Sequence, residues 1–286
     1  MSPRARKFAR LRKAFLGNAT AIAGATVSLL VLLAAAGASL MPYGPAEADF
    51  FNILSPPSWS HWFGTDSFGR DVLTRVLYGA RISLLVSASG VAIAAVIGSA
   101  AGMTAAYKGG VADMVLMRVA DLLFAFPAFV LALFLMVVLG FGAINVAFAI
   151  ALTYLPIFAR LARNMTLLVR EEPYVQAARL MGQSTPRILA REILPNIAAP
   201  LIVQATIGIA FGIIIEAGLS FLGVGVQPPI PSLGVIMADG REYFQRGPWV
   251  LTMTGLAISI ALLGLNLFGD GLRDMMDPRL RQRAEQ

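Results

Sequence analysis

At 286 residues, with 57% hydrophobic and only 14% charged side chains, the chain is too apolar to cover its greasy surface as a soluble domain of that size. Its formal charge of +7 comes from basic residues beside apolar runs, not from a stripe interleaved with aromatics, which argues against nucleic acid as a partner. Cysteine is absent and His61 is the single histidine, which excludes disulfide frameworks, thiolate chemistry and a histidine-cluster zinc site.

A hydrocarbon layer about 30 Å thick takes roughly 20 apolar residues per helix. In chain order, residues 1–17 form a basic head carrying Arg4, Arg6, Lys7, Arg10, Arg12 and Lys13. The first candidate span, 18–41, follows. Head and run resemble a signal peptide, and Ala36 to Ser39 could pass for a cleavage site, but the run is longer than the roughly 7 to 15 apolar residues of a secretory signal. An uncleaved first helix is therefore expected. Residues 42–79 read as a polar loop rich in Gly, Pro and Trp, the largest on its side. Its polar turn leads into Val72 to Ser83, which sets Leu73, Val76 and Leu77 on one helical face and Arg75 on another, as an interfacial helix would; the alternative is a plain connection.

Further spans are expected at 80–106, 119–139, 144–161, 198–222 and 250–268, six in all with the first. Pro127 and Pro156 fall inside the third and fourth and should bend them. Arg118 and Asp121, three residues apart, read as a membrane-edge pair. Glu216 lies within the fifth apolar run, where a charge costs about 3 kcal/mol at the bilayer centre and needs a cavity or a partner. It is either a pathway residue near the outer gate or a carboxyl satisfied by backbone donors or a neighbouring helix. Gly269 and Gly271 should break the last helix, leaving Arg273 and Arg279 to anchor a tail, residues 271–286.

Cytoplasmic loops hold the excess of Lys and Arg. With six spans and the head inside, 18 of the 23 basic residues fall on the cytoplasmic side, whereas Arg70, Arg75, Arg241 and Arg246 lie outside and Arg81 starts a helix. Both termini are therefore expected in the cytoplasm.

The polar insert 170–196, between the fourth and fifth spans, reads as helix, turn and helix. Glu171 and Glu172 before Pro173 suit a helix start, Gly182 a stop, and Thr185 with Pro186 a second start. Within it, Gln176-Ala177-Ala178, then Gly182, then Leu194-Pro195 resembles the E-A-A signature of ABC importer permeases. Gln176 replaces the signature's Glu, and Glu192 stands where it has Ile. Without the signature, the same stretch reads as an ordinary amphipathic helix.

Three other segments resemble the peptide and nickel branch of these permeases, in particular its C-type subunit: Gly64-Thr65-Asp66 through Gly69-Arg70-Asp71 and Arg75 to Gly79-Ala80-Arg81; Leu219-Ser220-Phe221-Leu222-Gly223 with Gln227-Pro228-Pro229 and Gly234; and Gly269-Asp270-Gly271-Leu272-Arg273-Asp274 with Asp277-Pro278 and Arg279. The resemblance implies an all-α integral membrane protein of six transmembrane helices with the type I, MetI-like permease fold. Residues 80–270 would be its core of five spans. It implies that Tyr174, Gln176, Ala177, Ala178 and Gly182, with Leu194 and Pro195 behind them, couple the chain to an ATPase by docking the helix at 173–182 into it.

The same resemblance implies a permease subunit of the inner membrane that forms half of a pathway for peptides or similar solutes. A second homologous permease, two ATP-binding subunits and an extracytoplasmic solute-binding protein would complete the importer. No G-x-x-x-x-G-K-[ST] sequence occurs, and the only lysines are Lys7, Lys13 and Lys108. ATP and Mg would therefore sit on the partner subunits, leaving this chain with no cofactor, no metal site and no catalytic residue. Nickel chelates, opines and oligosaccharides are alternative cargoes. An ion-coupled secondary transporter should show an internal repeat and several buried carboxylates, and only Glu216 qualifies; an intramembrane enzyme would need a dyad or metal ligands that the spans lack.

Overall fold

The computed structural model describes residues 17–276. Most of the basic head, and the tail from Asp277 with Pro278 and Arg279, lie outside the described residues. Helix α1 (Ala19–Ala36) ends in a short 3-10 turn, Gly37–Leu40. There follow α2 (Val72–Lys108), α3 (Gly110–Phe124), α4 (Ala128–Leu139), α5 (Ala143–Val169), α6 (Pro173–Leu180), α7 (Thr185–Ile188), α8 (Leu194–Phe221), α9 (Leu233–Glu242) and α10 (Pro248–Met276). Helices α1, α2, α5, α8 and α10 lie in stretches long and apolar enough to cross a membrane, and α3 with α4 makes a sixth crossing if the bent pair is counted as one.

Helix α2 is the hub, packed on α5 and α8, while α1 pairs with α10 at the periphery. At about 1.5 Å per residue its 37 residues span about 55 Å, more than a hydrocarbon layer, and Val72 to Ser83 are its first turns, continuous with the span that follows. This corrects the separate interfacial helix expected at Val72 to Ser83. Arg75 does not point to water either: it is 3% exposed, and its Nη2 donates to Asp239 on α9 at 3.1 Å. The expected amphipathic pattern failed because a buried arginine with counter-charges counts as core.

Those counter-charges order the loop before α2. Asp66 accepts from the backbone N–H groups of Phe68 (2.8 Å) and Arg70 (3.0 Å) and from Arg70 Nε (2.6 Å), while Gly64 and Gly69 take the positive φ that the turns require. Asp71 caps α2 by accepting from Thr74 N–H and Oγ1, each at 2.8 Å, and lies 3.0 Å from His61 Nδ1. Arg70 reaches Asp239 as well, at 3.3 Å, so two arginines clamp the loop and the start of α2 to α9. Replacing Asp239 with Ala should cost about 1–2 kcal/mol, less than for a fully buried pair because Asp239 keeps some solvent contact. Faster protease cleavage within 42–71 in intact membranes, restored by Asp239→Glu, is the expected reading.

The third span departs furthest from expectation. Pro127 does not bend one helix but separates two, which turn by 93° at the break. The proline sits in extended conformation as the residue before α4, and a residue preceding proline is itself biased away from helix. The pair expected between Arg118 and Asp121 does not form; Asp121 instead accepts from Arg160 of α5, whose guanidinium also stacks on Phe124 at 4.1 Å. One helical level away, Arg163 makes a bidentate pair with Asp113, both contacts at 2.6 Å. Helix α3 is thus strapped to α5.

The last helix also differs from the reading of its glycines. Gly269 and Gly271 do not break α10, which runs to Met276. Their role is close approach: a methyl on Gly271 would meet Ala21 Cβ of α1 at 2.5 Å and one on Gly269 would meet Ile207 Cγ1 of α8 at 3.2 Å, while one on Gly264 two turns earlier would meet Ser28 N of α1 at 3.0 Å. Small residues bring membrane helices together where lipid supplies no hydrophobic drive.

Candidate functional site

The insert between α5 and α8 forms a short projection. Pro173 occupies the first turn of α6 after Glu172, where its missing N–H costs nothing. The helix closes at Gly182, which has φ of +71°. There Gly182 N–H donates to Arg179 O at 3.0 Å and Gln183 N–H to Ala178 O at 3.2 Å, the paired bonds of a Schellman stop. The second start is shifted by one residue from expectation: Ser184, not Thr185, stands at the cap position.

The two alanines do different work. Ala178 is 2% exposed and belongs with Val175, Ile188 and Ile193 to the main apolar core, so it fixes the projection to the spans. Ala177 faces outward beside Tyr174, Leu180 and Met181, and the last two are 89% and 70% exposed. A small residue therefore lies among uncovered apolar side chains at the tip. Gln176 Nε2 donates to Arg170 O at 3.3 Å and to Glu171 Oε2 at 3.4 Å, a use of an amide donor that a carboxylate could not reproduce beside Glu171. The tip is thereby tied to the end of α5, and Arg170 Nη1 extends the tie to Ala106 O of α2 at 2.6 Å.

Behind the tip, Leu189–Ile193 winds as one π-helical turn before α8. Pro195 explains it. Without an N–H, and with its ring against the carbonyl four residues back, it forces the preceding turn to widen. Leu194 and Pro195 are both exposed and hand the projection directly to α8.

At the other end of α8, Glu216 is 0% exposed. The Ser220 hydroxyl donates to its Oε1 at 2.7 Å, and Ser83 of α2 and Ser232 before α9 stand around the same carboxyl. In this conformation the side chain opens onto no aqueous surface. Sequence reading found this carboxyl by its rarity but not its serine shell, since serines spread from 83 to 232 carry no local pattern.

No group of three or more His, Asp or Glu side chains suited to a metal occurs among the described residues. What the geometry offers is mechanical: a rigid, partly apolar knob, a 28-residue helix leading from it, and a pinned segment at the far end. Residues 94–282 match the family described as the binding-protein-dependent transport system inner membrane component.

The chain belongs to that family.

This permease is 41% identical over 282 residues to the dipeptide transport system permease protein DppC of Alkalihalophilus pseudofirmus, an alignment covering 98% of this chain and 91% of that one. It is also 41% identical over 260 residues to the glutathione transport system permease protein GsiD of Pectobacterium atrosepticum, covering 91% and 86%. Among solved structures it shares its fold with a chain of the inward-facing MetNI methionine ABC transporter, with a TM-score of 0.55 and 20% identity over 71% of this chain and 96% of that chain. The expected all-helical importer permease of the MetI-like type is thus what the chain is. Sequence reasoning missed the two Arg–Asp straps on α3 and the clamp on Asp239, because each joins residues distant in the chain; buried charge beside apolar runs was the available signal.

Proposed function

We propose that this chain forms half of the transmembrane pathway of an ABC importer for di- and oligopeptides, turning over no substrate chemically itself. Its partners in this reading are a second homologous permease, two ATP-binding subunits that hold ATP and Mg, and an extracytoplasmic solute-binding protein. Both termini and the projection at 173–182 face the cytoplasm, as the distribution of Lys and Arg favours. The observation that carries the reading is the knob itself: Tyr174, Leu180 and Met181 are uncovered around Ala177 on a helix held firmly from behind. An uncovered apolar face of this kind fits the helix-in-groove mode of recognition. Peptide cargo is favoured because relatives named for dipeptide and glutathione transport align over nearly the whole chain.

The natural chain has no cysteine, so Leu180→Cys gives a unique label. An impermeant maleimide should modify it only in inverted vesicles, and a bifunctional reagent should cross-link it to a nucleotide-hydrolysing subunit. Labelling from the outer face of intact cells would overturn the orientation. In a strain lacking the chain, restoration of dipeptide uptake but not of nickel-chelate, opine or oligosaccharide uptake is expected; the opposite pattern would reassign the cargo.

A further inference from the structure

The face of α8 that meets α2 carries Gly208, Gly212, Glu216 and Ser220, four residues apart, and the face of α2 that meets it carries Val91, Ser87, Ser83 and Gly79 at the same spacing. The two helices run antiparallel, and close approaches fix the register: a methyl on Gly208 would meet Val91 Cγ1 at 3.2 Å and one on Gly212 would meet Ser87 Cβ at 3.1 Å. Glu216 then falls level with Ser83. Small side chains let the backbones close up, so this carboxyl sits where neither water nor lipid reaches it.

Each hydroxyl around Glu216 is also a ligand for the backbone of the segment that follows α8. Ser220 Oγ, while donating to Glu216, accepts from Val226 N–H at 3.0 Å. Ser83 Oγ accepts from Leu233 N–H at 3.2 Å, and Ser232 Oγ from Val235 N–H at 3.3 Å, so both hold the first turn of α9. The contact is tight as well as polar: a methyl on Gly234 would meet Ser220 Cβ at 2.7 Å, and one on Gly79 would meet Leu233 N at 3.1 Å. Glu216 Oε2 has no hydrogen-bond partner, and neither has Ser87 Oγ one turn away. The arrangement is therefore not saturated, and it retains an acceptor for a donor presented in another register.

We propose that Glu216, hydrogen-bonded to Ser220 and packed beside Ser83 and Ser232, is a positioning residue that locks α9 to α8 by holding the hydroxyls that cap the segment after α8, so that a displacement of α8 at its projecting end moves α9 at the opposite face of the membrane. Because α8 spans about 42 Å as one helix of 28 residues, it joins the two ends without an intermediate element. The inference rests on the functional reading above, since the projection must be the driven end. It adds that the opposite face is moved by a carboxylate and hydroxyl lock, not by the ion pairs of the loop.

The test uses the complete importer in lipid nanodiscs with Phe51→Cys and Glu242→Cys, both exposed positions, spin-labelled to report α9 against the loop. With the native lock, the distance distribution should shift on ATP binding. With Glu216→Ala that shift should vanish, and binding-protein-stimulated uptake should fall by about tenfold or more, while in a separate preparation with Leu180→Cys as its single cysteine the cross-link to the ATPase still forms and hydrolysis continues unstimulated. Glu216→Gln keeps an acceptor for Ser220 and should recover most of the uptake and the shift. If Glu216→Ala fails to assemble, the double variant Ser83→Ala/Ser220→Ala decides by the same criteria. A wild-type shift and uptake in the deciding variant, or equal loss with Glu216→Gln, overturns the lock. Loss of the cross-link in otherwise unaltered protein would overturn the functional reading instead.

Discussion

Ala177→Trp should abolish binding-protein-stimulated ATP hydrolysis by the assembled importer while leaving the permease folded in the membrane. Ala177 points outward from α6, so an indole there displaces nothing within the chain. What it obstructs is the surface proposed to enter the ATP-binding subunit, where a helix seats closely only if the contacting residue is small. Uptake should drop by about a hundredfold, near the upper end of ordinary coupling energies between sites. Gly182→Leu should reach the same end by a different cause. The new side chain would find open space, but φ at that position is +71°, which costs an L-residue about 1–2 kcal/mol and would re-aim the turn behind the tip. The companion Ala178→Trp separates docking from folding. Its site is buried against Val175, Ile188 and Ile193, so it should yield little intact protein. Membrane-inserted Ala177→Trp and Gly182→Leu with normal uptake would dispose of the knob as a coupling element.

That contrast shows how far the sequence could be read. Spacing around Gln176, Ala177, Ala178 and Gly182 located the projection, because propensity, proline and glycine act within one or two turns. It could not say which alanine faces the motor, since that depends on where α5 and α8 place the helix. Membrane crossings were legible for the same local reason: apolar length is a property of one segment. The break at Pro127 was underestimated because a proline in a long apolar run is compatible with either a bend or a corner. Here α3 resolves the choice through its pairs with Arg160 and Arg163 of α5, more than thirty residues away in each case. Glu216 was conspicuous as a charge in an apolar run, yet its neighbours come from α2, α8 and the start of α9, and only the fold assembles them.

Gly98→Leu should prevent the permease from accumulating in the membrane, a larger effect than any surface change in the spans. On α2, Gly90, Ala94, Gly98 and Gly102 repeat at every fourth position, and Ala147, Ala151 and Ala159 lie on the opposing α5. The repeat lets two long helices touch along their backbones, which is the main source of association where lipid tails are as apolar as leucine. At Gly98 even a methyl would fall 2.6 Å from the Leu155 carbonyl oxygen and 2.9 Å from Phe158 Cβ. The first of these is main chain and cannot rotate away. Gly98→Ala must therefore push α2 from α5 and should cost about 1–3 kcal/mol; Gly98→Leu adds three more carbons to the same gap and should exceed that range. Gly255 of α10 provides the control: a methyl there meets nothing within 4 Å, and Gly255→Ala should be neutral or stabilising by up to about 1 kcal/mol through helix propensity. Thermal unfolding of the purified variants in one detergent gives the comparison. Equal stability of Gly98→Ala and Gly255→Ala would mean that α2 and α5 are not held at backbone contact, and the hub role of α2 would fall with it.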